Sequence, residues 1–194
     1  MFAVIFEVNP RPEAWDAYLG YAATLRPELL AIDGFIANER YASLTRSGWL
    51  VSLSIWRDEK ALIRWRTHAL HHDIQGKGRS SVFADYHLRV GEIVADTDLD
   101  APPPRQRLDA TEVADKKVVT LEERPLGAES VAPLDGDVFD SITRPGQGLY
   151  LRAWPDIPAA HSAMEDTTGH RRIVQIIRDY GMFARVEAPQ YFPR

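Results

Sequence analysis

Trp65, His68, His71 and His72 sit in one short stretch and have the types and spacing that chemistry could use. On a helix turning about 100° per residue, His68 and His72 fall within roughly 60° of Trp65, together with Ala61, Leu62 and Ala69. Ile63, Leu70 and Ile74 point roughly the opposite way. One face of such a helix must cover a sheet, which leaves the other for a partner or a cavity. An indole flanked by imidazoles at a cavity edge can stack a planar molecule and take a proton, or ligate a haem iron. The plainer reading is that Trp65 is core and the histidines bond water or a nearby carboxylate. His68-x-x-His71-His72 has the spacing of some zinc helices. No Glu lies between the histidines to act as base, so the metalloprotease signature is missing and no metal is expected.

Further candidates sit on predicted strands. Glu7, Asn38 and Arg40 can line a sheet face, and an inward Glu7 would need a partner. Tyr86 can donate to a substrate carbonyl, although Asp85-Tyr86 also reads as a turn followed by a packed ring. There is no Gly-rich phosphate loop, nucleophile elbow or Walker motif.

The elements that must position these residues come in two copies. Ser54-Ile55-Trp56-Arg57-Asp58 is matched by Arg152-Ala153-Trp154-Pro155-Asp156, and Trp56 to His72 spans the same 16 residues as Trp154 to His170. Asp85-Tyr86 is paired with Asp179-Tyr180, and Phe6 to Pro10 with Leu121 to Pro125. Shared spacing of several rare residues points to an internal repeat.

In the first copy, Phe2 to Val8 is a β-branched and aromatic strand. A helix runs from Glu13 to about Ile32, with Pro27 set to kink or restart it. Phe35 to Leu44 and Trp49 to Trp56 form a hairpin around Ser47-Gly48. Asp58 is the N-cap of a helix reaching about Lys77, and Ala84 to Val94 is the last strand. The order β-α-β-β-α-β is the ferredoxin-like pattern.

The second copy reads as degenerate. Lys117 to Arg124 is a strand, and the following helix is lost in the Gly- and Pro-containing Leu126 to Asp137. Val138 to Thr143 and Leu149 to Trp154 form a hairpin. A helix from Asp156, interrupted near Thr167-Thr168-Gly169, resumes through His170 and Ile177, and Met182 to Ala188 closes the unit. The expected organisation is a first domain over residues 1–96, a Pro-rich linker over 97–115 and a second domain over 116–194. The fold class is α+β, two tandem ferredoxin-like units with the second degenerate.

Bulk properties bound the function. A 194-residue chain with formal charge −5 has no basic footprint for nucleic acid. With no cysteine, disulfides, thiolate metal sites and a Cys nucleophile are excluded. No apolar run is long enough to cross a bilayer, and Phe2 to Phe6 is too short for a signal peptide, so a cytoplasmic protein without a membrane partner is expected.

Leu53 to Ala61, Trp65-Arg66 with the histidines after it, and Phe83 to Val90 together resemble the antibiotic biosynthesis monooxygenase family. The likeness covers Phe2 to Val94 and, in the second copy, the part from about Val138. It implies that the two tandem units close as a fused dimeric α+β barrel, and an enzyme that is either a cofactor-independent monooxygenase of aromatic polyketide-type molecules or a haem-degrading one. Trp65 falls where both branches place a pocket Trp. The haem branch has an Asn on the first strand and a His ten residues after the Trp, where this chain has Glu7 and Gln75. The polyketide branch favours an Asn one turn before the Trp, where this chain has Ala61.

The resemblance therefore implies a monooxygenase that oxidises a planar aromatic, quinol-like molecule with O2 and needs no cofactor, with haem as the alternative. His68 or His72 would be the base, Trp65 the stacking wall, and Arg40 or Tyr86 the oxyanion stabiliser. Asn38 and Glu7 would line the site. A homodimer of the fused chain is one open assembly. A non-catalytic ligand-binding module of the same fold is the other alternative, and it predicts no closed cavity beside Trp65.

Overall fold

The computed structural model describes residues 1–107, 117–127, 136–163 and 169–189. Eight strands are seen among them: β1 (Phe2–Pro10), β2 (Phe35–Ser43), β3 (Leu50–Trp56), β4 (Phe83–Asp96), β5 (Val118–Pro125), β6 (Asp137–Ser141), β7 (Gln147–Trp154) and β8 (His170–Gly181). They close one barrel in the order β1-β3-β2-β6-β7-β5-β8-β4, every pair antiparallel. The halves are joined along β2–β6 and β4–β8, so each covers the sheet edges the other would expose. This is the fused α+β barrel that the family resemblance implied, built from the two units the repeat implied.

Alternation along the strands sorts side chains inside and outside. Ala3, Ile5, Tyr41, Val51, Leu53, Ile93 and their counterparts from the second half, among them Leu121, Phe139 and Leu149, fill the barrel. An eight-stranded barrel is just wide enough for side chains to fill it. The opposite face of β1 to β4 is covered by α1 (Trp15–Ala31), α2 (Glu59–Thr67) and α3 (Ala69–Lys77). Pro27 lies inside α1 without ending it. Pro27 and Ala23, whose carbonyl loses its partner, are both exposed, so water can satisfy the freed group.

Three expectations are overturned. The helix after Asp58 is not continuous: His68, at φ −60° and ψ 127°, ends α2 and starts α3. The Trp65 carbonyl instead accepts from His68 N (3.2 Å) and lies 2.9 Å from His71 Nδ1, a side-chain bond that competes with the helix. The stretch from His170 to Gly181 is strand β8 rather than a resumed helix, because Ile173, Val174, Ile176 and Ile177 are all buried, two on each face of a strand enclosed on both sides. The helix from Asp156, α4 (Ile157–Ser162), stops after six residues. The expected last strand over Met182 to Ala188 is a looped segment packed across the end of β4, with Met182 N donating to Tyr86 O. Expectations for 108–116, 128–135, 164–168 and 190–194 lie outside the described residues.

Strand register refines the repeat. Phe2 pairs with Trp56 and Val118 with Trp154, so Glu7 is equivalent to Glu123 rather than to Glu122. A one-residue slip moves a side chain to the other face of a sheet. Glu7 pairs with His87 and Glu123 with His170, which aligns β4 with β8 as His87-x-Arg89-x6-Asp96 against His170-x-Arg172-x6-Asp179.

The barrel therefore carries two related ionic clusters, each taking its Asp from the other half. In one, Glu7 accepts from Arg46 and Arg89, and His87 Nε2 lies 2.5 Å from Asp179. In the other, Arg172 bridges Glu123 (2.7 Å) and Asp96 (2.9 Å), and His170 Nε2 lies 2.7 Å from Asp96. Asp96, Asp98 and His170 could geometrically hold a cation, but Arg172 already neutralises Asp96.

The described residues of the expected linker are strapped down. The buried Glu92 carboxylate accepts from the backbone of Gln106 and from Arg105 Nε.

Candidate active site

Between α1–α3 and the outer face of the first-half strands lies a cavity of about 260 Å³. Its floor is divided. On β2 and β3 the cavity-facing residues are polar apart from Phe35 at the start of β2: Asn38, Arg40, Ser52 and Ser54. On β1 and β4 they are apolar apart from the Tyr86 hydroxyl: Val4, Phe6, Phe83, Leu88 and Val90. The roof brings Tyr18, Leu25 and Leu29 from α1, Leu62 and Trp65 from α2, and His71, Ile74 and Gln75 from α3.

Trp65 forms one wall, stacked on His71 with ring centroids 4.2 Å apart and planes 15° from parallel. The break at His68 creates this arrangement, because it turns α3 so that His71 rather than His72 meets the indole. His72 is exposed and off the lining. His68 also stacks on Trp65, at 5.9 Å, but its Nε2 faces Glu28 at 3.4 Å outside the cavity. His71 Nδ1 faces the Trp65 carbonyl, which fixes the proton there and leaves Nε2 as the acceptor, 3.5 Å from Gln75 Nε2. Burial holds the imidazole down at about 4, and His68 and His72 add to the effect, so His71 is neutral near pH 7.

Asn38, Arg40 and Tyr86 line the cavity. Asn38 Nδ2 donates to Ser52 Oγ (3.0 Å) and to Leu53 O (2.9 Å), leaving its carbonyl oxygen for a ligand. The buried Tyr86 hydroxyl accepts from Arg185, so its own proton is available to donate. Glu7 does not reach the cavity. It is on the barrel-interior face of β1, where burial would raise its pKa but the His87, Arg89 and Arg46 contacts bring it down to about 2.

Several lining residues escaped the sequence pattern. His71 was hidden by the unforeseen helix break. Tyr18 is buried beside Arg40, and its pKa is raised by burial against the pull of that cation. Arg185 reaches the cavity from the looped segment after β8, with Tyr180 and Pro189 from the same half. Ser52 and Ser54, two small polar residues alternating on one strand face, were the signal available for a polar floor.

Among the described residues the lining contains Arg26, Arg40, Arg66, Arg79 and Arg185, but no Asp or Glu. In a chain with net charge −5, this concentration of cations marks a site for an anion.

Fold and site define the class, and comparison with known proteins agrees: the chain belongs to the antibiotic biosynthesis monooxygenase family, whose model matches residues 1–77. The jasmonate monooxygenase ABM of Pyricularia oryzae is 41% identical over 215 residues, covering 100% of this chain and 99% of that protein. Among solved structures, an antibiotic biosynthesis monooxygenase is 19% identical, with a TM-score of 0.42 over 53% of this chain and 100% of that one. An anthrone oxidase-like protein is 10% identical, with a TM-score of 0.40 over 97% of this chain and 96% of its own. Among the described residues no helix is long and apolar enough to cross a membrane.

Proposed function

We propose that this protein is a monooxygenase that uses O2 to oxidise a small, mostly apolar organic anion, with a ring-shaped or planar body, held against Trp65. The observation that carries this reading is the cavity lining: an indole stacked on a neutral imidazole, a half-apolar floor, and five arginines without a carboxylate. The full-length relative acts, by its name, on jasmonate, an organic anion, which supports the same substrate class.

The chemistry follows from what these side chains can do. His71 Nε2 takes a proton from an acidic carbon of the substrate, and Tyr86 or Asn38 steadies the oxyanion of the enolate that results. That electron-rich carbon then reduces O2 directly, with no bound cofactor. When a methylene becomes a carbonyl, the substrate gives four electrons, and O2 ends as one product oxygen and one water. A simple hydroxylation draws only two electrons from the substrate and needs an outside reductant for the others. The walls contribute by excluding water from the anion.

A haem fits less well. Pockets for drug-sized ligands run to roughly 300–1,000 Å³. A tetrapyrrole with its propionates needs a pocket well inside that range, whereas this cavity, at about 260 Å³, lies below it.

The test is oxygen uptake with jasmonate and with a hydroxyanthrone, coupled to product identification. His71→Ala should lower turnover by roughly 10²–10⁴-fold, the usual worth of a positioned base. His72→Ala, altering an exposed side chain, should leave turnover as it is. Unimpaired His71→Ala, or no oxygen uptake with any such substrate, overturns the proposal.

A further inference from the structure

We propose that Arg40 is the anchor for the substrate's anionic group and that the polar stripe of β2 and β3 is the head-group half of the site. This deepens the reading above and rests on it.

Arg40 projects from the middle of a strand paired on both sides, so its backbone is rigidly placed. Its Nε is buried with no hydrogen-bond partner among the described residues, and it makes no ion pair with a described carboxylate. A half-buried guanidinium without a counter-ion is costly, and a bound carboxylate or sulfonate would supply the missing charge in the bidentate geometry that Arg favours. The surroundings suit such a group. The Tyr18 hydroxyl lies beside Arg40, and Ser52 is its direct cross-strand neighbour.

Two other arginines at the cavity, Arg185 and Arg26, are less suited, while Arg66 and Arg79 come from the helical roof rather than from the rigid sheet. Arg185 already donates to Tyr86 and is exposed, as is Arg26.

The second half supplies an internal control. Register places Val138 where the first half has Arg40, and Tyr150 where it has Ser52. Val138 is 3% exposed and Tyr150 4%, so the same fold position is satisfied by an apolar side chain. The barrel does not need a cation there, which leaves ligand recognition as the reason for Arg40.

The register also fixes the substrate's direction. Arg40 shares a row with Ser52, Phe6 and Leu88, whereas Trp65 packs with Val4 and Val90 one row further along. Two residues along a strand are roughly 6.6 Å. The anchored head therefore lies away from Trp65 and His71, and the oxidised carbon belongs to the body of the molecule.

Two fluorescent probes test this without turnover. 1-Anilinonaphthalene-8-sulfonate carries the anion, and N-phenyl-1-naphthylamine has the same rings without it. Arg40→Met should weaken the sulfonate probe by roughly 10- to 100-fold, the scale of a charge-assisted hydrogen bond. Binding of the neutral probe should change less than about threefold, and Arg40→Lys should fall between. On the unaltered protein, jasmonate should displace the sulfonate probe far better than its methyl ester, which covers the case of a variant that does not fold. Equal losses for both probes, an unchanged sulfonate affinity, or equal displacement by acid and ester overturns the assignment. An inactive protein that keeps this charge selectivity sinks the monooxygenase reading and leaves Arg40 standing; an active one without it does the reverse.

Discussion

Trp56 ends β3 and Trp154 ends β7, each indole donating to a hydroxyl 3.0 Å away, Ser54 and Thr120 respectively. Two residues on, Asp58 and Asp156 cap helices in the same way, accepting from Ala61 N and Ala159 N at 2.8 Å. Beyond that point the halves part. The first continues through α2 and α3 and roofs a cavity, whereas α4 ends at Ser162. Beneath, the first half presents Asn38, Arg40, Ser52 and Ser54, and the second presents Gly136, Val138, Tyr150 and Arg152 at the matching positions. One copy keeps its floor open and polar. The other fills it, with Arg124 lying over the Tyr150 ring at 3.8 Å. The second half is not idle, since Tyr180, Arg185 and Pro189 help to wall the first half's cavity. A doubled fold can thus divide labour, one copy binding and the other closing the barrel and the mouth.

The largest expected effect concerns the paired ionic clusters. Glu7→Ala leaves the buried Arg89 without its carboxylate and should cost about 3–5 kcal/mol, the scale for breaking one side of a buried pair. Glu123 is more accessible, at 16% side-chain exposure, and Arg172 keeps Asp96. Glu123→Ala should therefore cost about 1–3 kcal/mol. Urea unfolding of both variants checks the order, and equal losses would mean the clusters are interchangeable.

Making the first half imitate the second is the next step. Arg40→Val with Ser52→Tyr should fill the cavity, leave the thermal midpoint unchanged or higher, and weaken probe binding by at least about tenfold. If binding survives, the cavity beside Trp65 is not where ligands sit.

Much of this organisation was readable from residues. The Trp-x-Asp pairs gave the strand ends and caps because a capping Asp acts locally. The first α+β unit followed from the β-α-β-β-α-β order, and its closure with the second into a barrel from the family resemblance. The better repeat, His-x-Arg-x6-Asp, was present too, but matching His170 to His72 hid it and turned a strand into a helix. Ile and Val at consecutive positions satisfy both periods when a strand is buried on two faces, so pattern alone could not arbitrate. His71 was beyond reach for a different reason. Its orientation depends on a break held by its own bond to the Trp65 carbonyl, a tertiary geometry that spacing does not encode.

The first cluster should make stability depend on pH. Asp179 and Glu7 hold His87 up to about 9 against burial. A raised histidine stabilises fully below its free value of 6.5, and that contribution is lost as pH rises through 9. Glu7, held down to about 2, contributes fully above 4.5 and loses its contribution as pH falls through 2. Thermal midpoints should therefore decline between pH 6.5 and 9 in the unaltered protein, and His87→Gln should flatten that decline. If His170→Gln flattens it equally, the first cluster is not the dominant titrating one.

The smallest effect isolates the roof itself. Asp58 and Asp156 cap with the same geometry, so Ala at either position should cost about 1 kcal/mol or less. Their consequences for binding should differ. Loss of the Asp58 cap frays the first turn of α2, the helix that carries Leu62 and Trp65 over the cavity, and should weaken the neutral naphthylamine probe by a few-fold. Asp156→Ala frays α4, whose buried Ala160 packs with Val118 and Ile173 away from the cavity, and should leave that affinity unchanged. Titrating both variants with the neutral probe, which does not depend on Arg40, separates roof from floor. An Asp156→Ala variant that weakens the probe as much as Asp58→Ala would show that the two helical layers are mechanically coupled through the barrel, contrary to the division of labour argued from their lengths.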